Sequence, residues 1–178
     1  MITNIRLAQV RDAFDISSIH VRAWQKAYHG LLPQKYLDEL SVTERQAMWA
    51  KELEKSQQHK NIFVLEVEKQ VRGFIVFGNS KIGVSRKLGE IHAINIDPSY
   101  WRQNLGSLLL SYALHRLKED GFHEVILWVL PTNNRAVRFY ESRNWKNNGH
   151  VRSQELFGIN VDEVCYWRSL PEEICYLY

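Results

Sequence analysis

A β-rich run, a tight loop and a leucine-rich helix follow one another without a break in Ile94-Asn95-Ile96-Asp97-Pro98-Ser99-Tyr100-Trp101-Arg102-Gln103-Asn104-Leu105-Gly106-Ser107-Leu108-Leu109. The backbone N–H groups at a helix start have no partner inside the helix. They point outward at the positive end of its dipole, so such a turn forms an anion site. Gly106 removes a Cβ from the path of a phosphate, and Asn104 is the best non-glycine residue for a left-handed turn position. Arg102 and Gln103 add side-chain contacts. With a single glycine, physics alone weighs a phosphate cradle equally against an ordinary strand-to-helix connection.

The pattern on either side predicts the elements around this segment. Ile2 to Leu7 reads as a short strand, with Asp12 as the N-cap of an amphipathic helix over 12–28. Gly30 stops that helix, Pro33 opens a short helical piece to about Leu40, and Thr43 with Gln46 forms a capping box for a helix to about Ser56. Ile62 to Val67 and Val71 to Phe77 are strands joined by Glu68-Lys69-Gln70, and Glu90 to Asp97 is a third, ended by Pro98. A helix follows from about Leu105 to Asp120, with Leu105, Leu108, Leu109, Tyr112 and Leu117 on its apolar face, and Gly121 closes it. A strand over Val125–Leu130, a helix over 133–143 and strands over Trp145–Val151 and Val161–Trp167 complete the chain. A mixed sheet with helices on its faces accommodates this order.

The chain has 178 residues, 45% hydrophobic and 24% charged, which fits one globular domain and excludes a disordered tail, a collagen-like fibre or a simple coiled coil. A net charge of +3 without a basic run argues against a nucleic-acid binder. Cys165 and Cys175 form neither a CxxC pair nor a zinc pattern, and they point to a reducing compartment. The N-terminus lacks the layout of a signal peptide, and no apolar run approaches the ~18 residues of a membrane helix. A cytoplasmic protein without membrane or nucleic-acid partners is expected.

A second segment separates the two readings of the loop. Leu127 to Trp145 runs strand, turn, helix, and contains Asn133, Ala136, Tyr140, Asn144 and Trp145. This resembles the N-x-x-A-x-x-x-Y-x-x-x-G-F signature of the GNAT superfamily of acetyl-CoA-dependent N-acyltransferases. Trp101-Arg102-Gln103-Asn104-Leu105-Gly106 is similar to that family's Q/R-x-x-G-x-G/A loop. Arg22 to Gly30 resembles the first helix of a common bacterial branch, and Gly89 to Pro98 the family's central strand, so the similarity covers roughly residues 2–170. Trp101 departs from the loop pattern, and Asn104 and Asn144 replace glycines.

The resemblance implies an α/β fold: a central mixed sheet of about seven strands flanked by helices, in one acetyltransferase domain over 1–178. It implies a splayed strand pair in which the backbone of Ile94, Asn95 and Ile96 pairs with the pantetheine arm of acetyl-CoA. Arg102, Gln103, Asn104, Leu105, Gly106 and Ser107 would hold the pyrophosphate. Asn133 would contact the cofactor and also cap its helix, and Ala136 would leave room. Trp24 and Tyr28 would border the acceptor pocket, although Trp24 also fits a core stripe.

Acyl transfer to an amine poses two proton problems. An alkylammonium of pKa ~10.4 is neutral in only about one molecule in a few thousand at pH 7, a deficit of about 4–5 kcal/mol unless a base removes the proton. Tyr140 resembles the family's acid for the leaving thiolate, with a core tyrosine as the alternative. Glu90 stands where several members carry a catalytic glutamate; it would act through a water, particularly if burial raises its pKa toward neutrality. His92 shares its strand face and a histidine has the better intrinsic pKa, ~6.5, while also serving as a substrate contact. Structural roles for both, or a water chain as base, remain open. Glu163 reads as a solvent-facing strand carboxylate, with a contact to substrate amine as the alternative.

The function implied is direct acetyl transfer, in a ternary complex, to a primary amine of a small molecule or peptide, by a monomer or homodimer. No cysteine lies in the recognised motifs to carry a covalent intermediate. The alternative is a non-catalytic acyl-CoA-binding regulator, favoured if Asn104 weakens the loop. A Rossmann-type nucleotide binder is opposed by the lack of G-x-G-x-x-G.

Overall fold

The computed structural model describes residues 2–59, 61–82, 87–156 and 159–170. Strand β1 (Thr3–Leu7) is followed by a 3₁₀ turn (Val10–Asp12) and helices α1 (Ala13–Ala27), α2 (Gln34–Asp38) and α3 (Val42–His59). Strands β2 (Ile62–Val67), β3 (Gln70–Asn79) and β4 (Leu88–Ile96) come next, then a 3₁₀ turn (Pro98–Tyr100) and α4 (Leu105–Glu119). The chain continues through β5 (Glu124–Val129), α5 (Asn134–Glu141), β6 (Lys146–Leu156) and β7 (Ile159–Ser169). The strands join in one mixed seven-stranded sheet of order β1-β2-β3-β4-β5-β7-β6. The β1–β2, β2–β3, β5–β7 and β6–β7 pairs are antiparallel and β4–β5 is parallel. The sheet is mixed, as the element order implied.

Two compact units are distinguishable: Met1–Phe77 with Ala93–Ala113, and Gly78–His92 with Leu114–Tyr178. In the first, Ile16 and Ile19 of α1 and Trp49 and Leu53 of α3 bury against Ile62, Val64 and Phe74 of β2 and β3. Full burial of such side chains stabilises by about 1.5–3 kcal/mol each. The alternate residue Phe63 points to the other face, stacked on Phe77 with ring centroids 5.5 Å apart and tilted on Tyr112 of α4 at 5.0 Å. Both faces of β2 are therefore covered, which explains why its sequence is an apolar run without strict alternation.

Gly73 matters in the same unit. A Cβ there would meet the Ile96 side chain, the Asn95 carbonyl oxygen at 3.1 Å and Leu109 Cδ1 at 3.3 Å. Nothing in the sequence pattern distinguished this glycine. Gly73→Val is expected to destabilise the fold by about 1–3 kcal/mol through overpacking, measured as a lower urea midpoint.

In the second unit, Gly89 of β4 lies over Leu117 and Phe122, where an added Cβ would come within 3.0 Å of Leu117 Cδ2. Gly121, with φ +85°, lets the chain leave α4 in a left-handed turn. Val125, Ile126 and Leu127 of β5 are buried, as is Cys165 of β7, a free thiol. Cys175 and the apolar Ile174–Tyr178 stretch lie outside the described residues.

Several local expectations change. Asp12 precedes α1 but does not cap it with its side chain; the carboxylate binds Arg6 at 2.7 and 2.9 Å and the Gln9 N–H at 2.8 Å. The opening of α3 is capped by Ser41, whose Oγ accepts the Glu44 N–H at 3.3 Å, and not by Thr43. Leu105, Leu109 and Leu117 of α4 are buried as expected, but Leu108 is 41% exposed, and Leu110 and Ala113 join the apolar face. The β2–β3 turn needs only Glu68 and Lys69, both left-handed at φ 50° and 65°, as the twist of a two-residue hairpin demands.

Candidate active site

In the first unit, the strand-to-helix turn is held by side chains. Asp97 ends β4 and accepts the Ser99 N–H at 3.2 Å and the Ser99 hydroxyl at 2.8 Å. Arg22 of α1 reaches the same carboxylate at 2.8 Å and Arg72 of β3 lies 3.7 Å away. Burial pushes the Asp97 carboxyl up, but the Ser99 bonds and the Arg22 guanidinium outweigh it and hold it below the ordinary value of 3.8. A lowered folded-state pKa gives stability that is full above the unfolded value and fades as pH falls through the folded one. Asp97→Asn is therefore expected to cost about 1–3 kcal/mol at pH 7, with the difference from wild type shrinking below about pH 4, followed by thermal melts across pH.

Beyond Asp97, the Trp101 indole N–H donates to the Ile96 carbonyl at 2.8 Å and fastens the loop to the end of β4. Arg102 and Asn104 both sit in the left-handed region at φ 62°. Asn104 thus takes the conformation its position requires, as its residue type suggested. Helical bonding begins with the Leu108 N–H to the Asn104 carbonyl at 3.1 Å, so the amides of Leu105, Gly106 and Ser107 precede the first helical bond. Arg102, Gln103 and Asn104 are exposed, and Gly106 and Ser107 half-buried. The recorded β4–β5 ladder runs from Leu88↔Glu124 to Ile91↔Leu127, while β4 itself continues to Ile96. Ile94 and Asn95 are half-buried and Ile96 buried.

On α1, Trp24 and Tyr28 are half-buried with ring centroids 4.8 Å apart. Behind them, His20 Nδ1 accepts the Trp49 indole N–H at 3.1 Å. Burial, with the Arg45 charge, lowers the His20 pKa to about 3, so this histidine is a neutral packing residue at pH 7.

In the second unit, Glu90 and His92 come together. The Glu90 side chain is 4% exposed and lies 3.3 Å from His92 Nδ1. Its Oε2 accepts the Ser80 hydroxyl at 3.1 Å and the Lys81 N–H at 3.2 Å. Burial pushes the Glu90 carboxyl up, but the His92 contact and the Lys81 and Ser80 bonds prevail and lower it, opposite to the upward shift expected from burial alone. Ser80 and Lys81, which follow the end of β3, were not marked by the sequence as partners of Glu90, whereas His92 on the same strand face was.

A further cluster was missed. Arg152 of β6 lies 4.4 Å over the Trp128 ring, bonds Glu163 at 2.8 Å and reaches within 4.0 Å of Glu90. Glu163 also accepts Gln154 Nε2 at 2.6 Å and is buried, so it is not the solvent-facing carboxylate its strand position suggested.

On α5, the Asn133 side chain accepts the Ala136 N–H at 3.2 Å, which makes it the N-cap. Ala136 is half-buried. Tyr140 is buried, with its ring edge-on to Phe139 at 5.2 Å and to Trp145 at 5.9 Å. Asn144 stops the helix at φ 61°, the left-handed stop its substitution for glycine preserves.

Comparison with known proteins gives the family. The profile described as acetyltransferase (GNAT) family matches residues 20–145. The uncharacterized N-acetyltransferase YuaI of Bacillus subtilis (strain 168) is 33% identical over 161 residues, covering 90% of this chain and 89% of its own. The probable N-acetyltransferase Rv2775 of Mycobacterium tuberculosis is 26% identical, covering 94% and 95%. Among solved structures, the PaiA N-acetyltransferase of Thermoplasma acidophilum in complex with coenzyme A has the same fold, with a TM-score of 0.75, 19% identity and coverage of 95% and 99%. YncA of Salmonella typhimurium, a putative acetyltransferase solved with acetyl-CoA, gives a TM-score of 0.70 at 22% identity, covering 98% of each chain. The chain belongs to the GNAT family of acetyltransferases, acetyl-CoA-dependent N-acetyltransferases with acetyl-CoA as co-substrate.

Proposed function

We propose that this acetyltransferase moves the acetyl group directly from acetyl-CoA to a primary amine of a small molecule or peptide. The observation that carries the reading is the turn at residues 102–107: two left-handed residues deliver successive amides to the start of α4. A helix start of this form binds phosphate through backbone N–H groups and dipole. Arg102, Gln103, Asn104, Leu105, Gly106 and Ser107 take the pyrophosphate. The backbone of Ile94, Asn95 and Ile96 takes the pantetheine arm as an added strand. The Ile96 carbonyl already accepts Trp101, so a ligand there uses its second lone pair. Asn133 and Ala136 flank the cofactor, and the Tyr140 hydroxyl protonates the leaving sulfur. Trp24 and Tyr28 border the acceptor, and Glu90 and His92 serve the amine proton.

The regulator alternative rests on Asn104 weakening the loop; its φ of 62°, in the left-handed region a glycine would take there, supports the enzyme reading. Among the described residues no helix is long and apolar enough to cross a membrane. The reading expects a single cytoplasmic domain acting as monomer or homodimer.

Calorimetry with acetyl-CoA followed by thiol release over a panel of amines tests the proposal. Binding with turnover on at least one amine class supports it. Binding without turnover across polyamines, arylalkylamines, amino acids and peptides would return the chain to the regulator class.

A further inference from the structure

The Glu90 carboxylate is poorly placed to take a proton from an incoming ammonium. Its side chain is 4% exposed, with Oε2 occupied by Ser80 and Lys81 and Oε1 facing His92. Arg152 of β6 stands 4.0 Å from Oε1, a guanidinium facing an already satisfied anion. Despite burial, the contacts from His92, Lys81 and Ser80 lower its basicity. His92 is the neighbour with access: its side chain is 20% exposed. With Nδ1 against a carboxylate, the ring carries its neutral-state proton on Nδ1, which leaves Nε2 as a lone pair. Among the described residues none bonds Nε2.

We propose that His92 Nε2 is the proton acceptor for the amine and that Glu90 is a positioning residue, fixing the ring and its tautomer and stabilising the imidazolium that forms. This deepens the acetyltransferase reading and rests on it. The alkylammonium gives one proton to Nε2, and its freed lone pair forms the N–C bond at the thioester carbonyl. As the C–S bond breaks, its electron pair leaves with sulfur, which takes a proton from the Tyr140 hydroxyl. The second amine proton leaves as the amide forms and restores Tyr140, and His92 returns the first to solvent. The balance is one amide, one thiol and one released proton.

The anionic group facing the ring is Glu90 of its own strand. Glu90 in turn is faced by Ser80 and Lys81, by Arg152 of β6, and by Cys165 of β7, whose thiol is pushed up mainly by burial and further by the Glu90 charge. The ring therefore meets a fixed negative charge and a set of groups arranged to keep it so.

Two measurements decide the assignment. Long-range ¹⁵N–¹H spectra of the full chain with labelled histidine rings should show neutral His92 with its proton on Nδ1; a proton on Nε2 overturns the proposal, and this needs no acceptor. Kinetics with acetyl-CoA and an amine that turns over in the panel give the second. His92→Gln should lower kcat by about 10²–10⁴ at pH 7 with the KM for acetyl-CoA unchanged. The loss should shrink as pH climbs toward the amine's own pKa, where free amine arrives unaided. Glu90→Gln, which keeps shape and removes charge, should lose only about 10-fold. A Glu90→Gln loss equal to or larger than that of His92→Gln, or a His92→Gln enzyme with wild-type kcat, overturns it. Failure of wild-type protein to bind acetyl-CoA would sink the acetyltransferase reading instead, and the ring spectra would still judge the pair.

Discussion

Gly106→Val abolishes acetyl-CoA binding, seen in calorimetry as the loss of any heat of association at ligand concentrations that saturate wild type. The position lies in the first turn of α4, between the left-handed Asn104 and the Leu108 amide that makes the first helical bond. On the proposed reading, an isopropyl group there blocks the approach of the diphosphate to the main chain. The loss is not one of folding, because valine has a better helix propensity than glycine and the helix is anchored by buried Leu105, Leu109 and Leu110. A melting temperature near that of wild type accompanies the lost binding. Retained binding in the folded variant would move the phosphate site away from this turn.

The second large effect is on turnover. Tyr140→Phe removes one hydroxyl and leaves a ring of the same outline between Phe139 and Trp145. The edge-on contacts survive, so the variant folds. If the phenol delivers a proton to the departing thiolate, kcat falls by about 10²–10⁴ while the affinity for acetyl-CoA changes little. A phenol suits the task because, at pKa ~10, it is protonated at neutral pH and does not spend its proton before the bond breaks. Unchanged kcat would remove Tyr140 from the role and leave solvent as the acid.

Much of the fold was legible because its punctuation is local. Asn104 and Asn144 replace glycines and still adopt left-handed angles, and Gly121 ends its helix as expected, whereas α1 already ends at Ala27 with Tyr28 as its C-cap and Gly30 lies in the turn beyond. The start of α3 was not legible to the residue: Ser41 and Thr43 both carry a capping hydroxyl, and only tertiary packing chooses the phase. The site divides the same way. The loop announces itself by residue type, whereas the state of Glu90 depends on His92 and on Ser80 and Lys81, which follow the end of β3. Burial pushes this carboxyl up; His92, two residues along the same strand, reverses the shift first, and Lys81 and Ser80 add to it. Glu163 was misread because its partners Arg152 and Gln154 belong to another strand.

The indole of Trp101 adds something to the turn that a flexible polar side chain there would not. With one end of the loop fastened to the Ile96 carbonyl and the other continuing into a packed helix, the segment has little freedom left to surrender. A ligand meeting so stiff a receptor forfeits few conformations of the host, so its association is a single encounter. The observed rate then climbs in proportion to concentration without levelling off, as it would if a slow rearrangement came first.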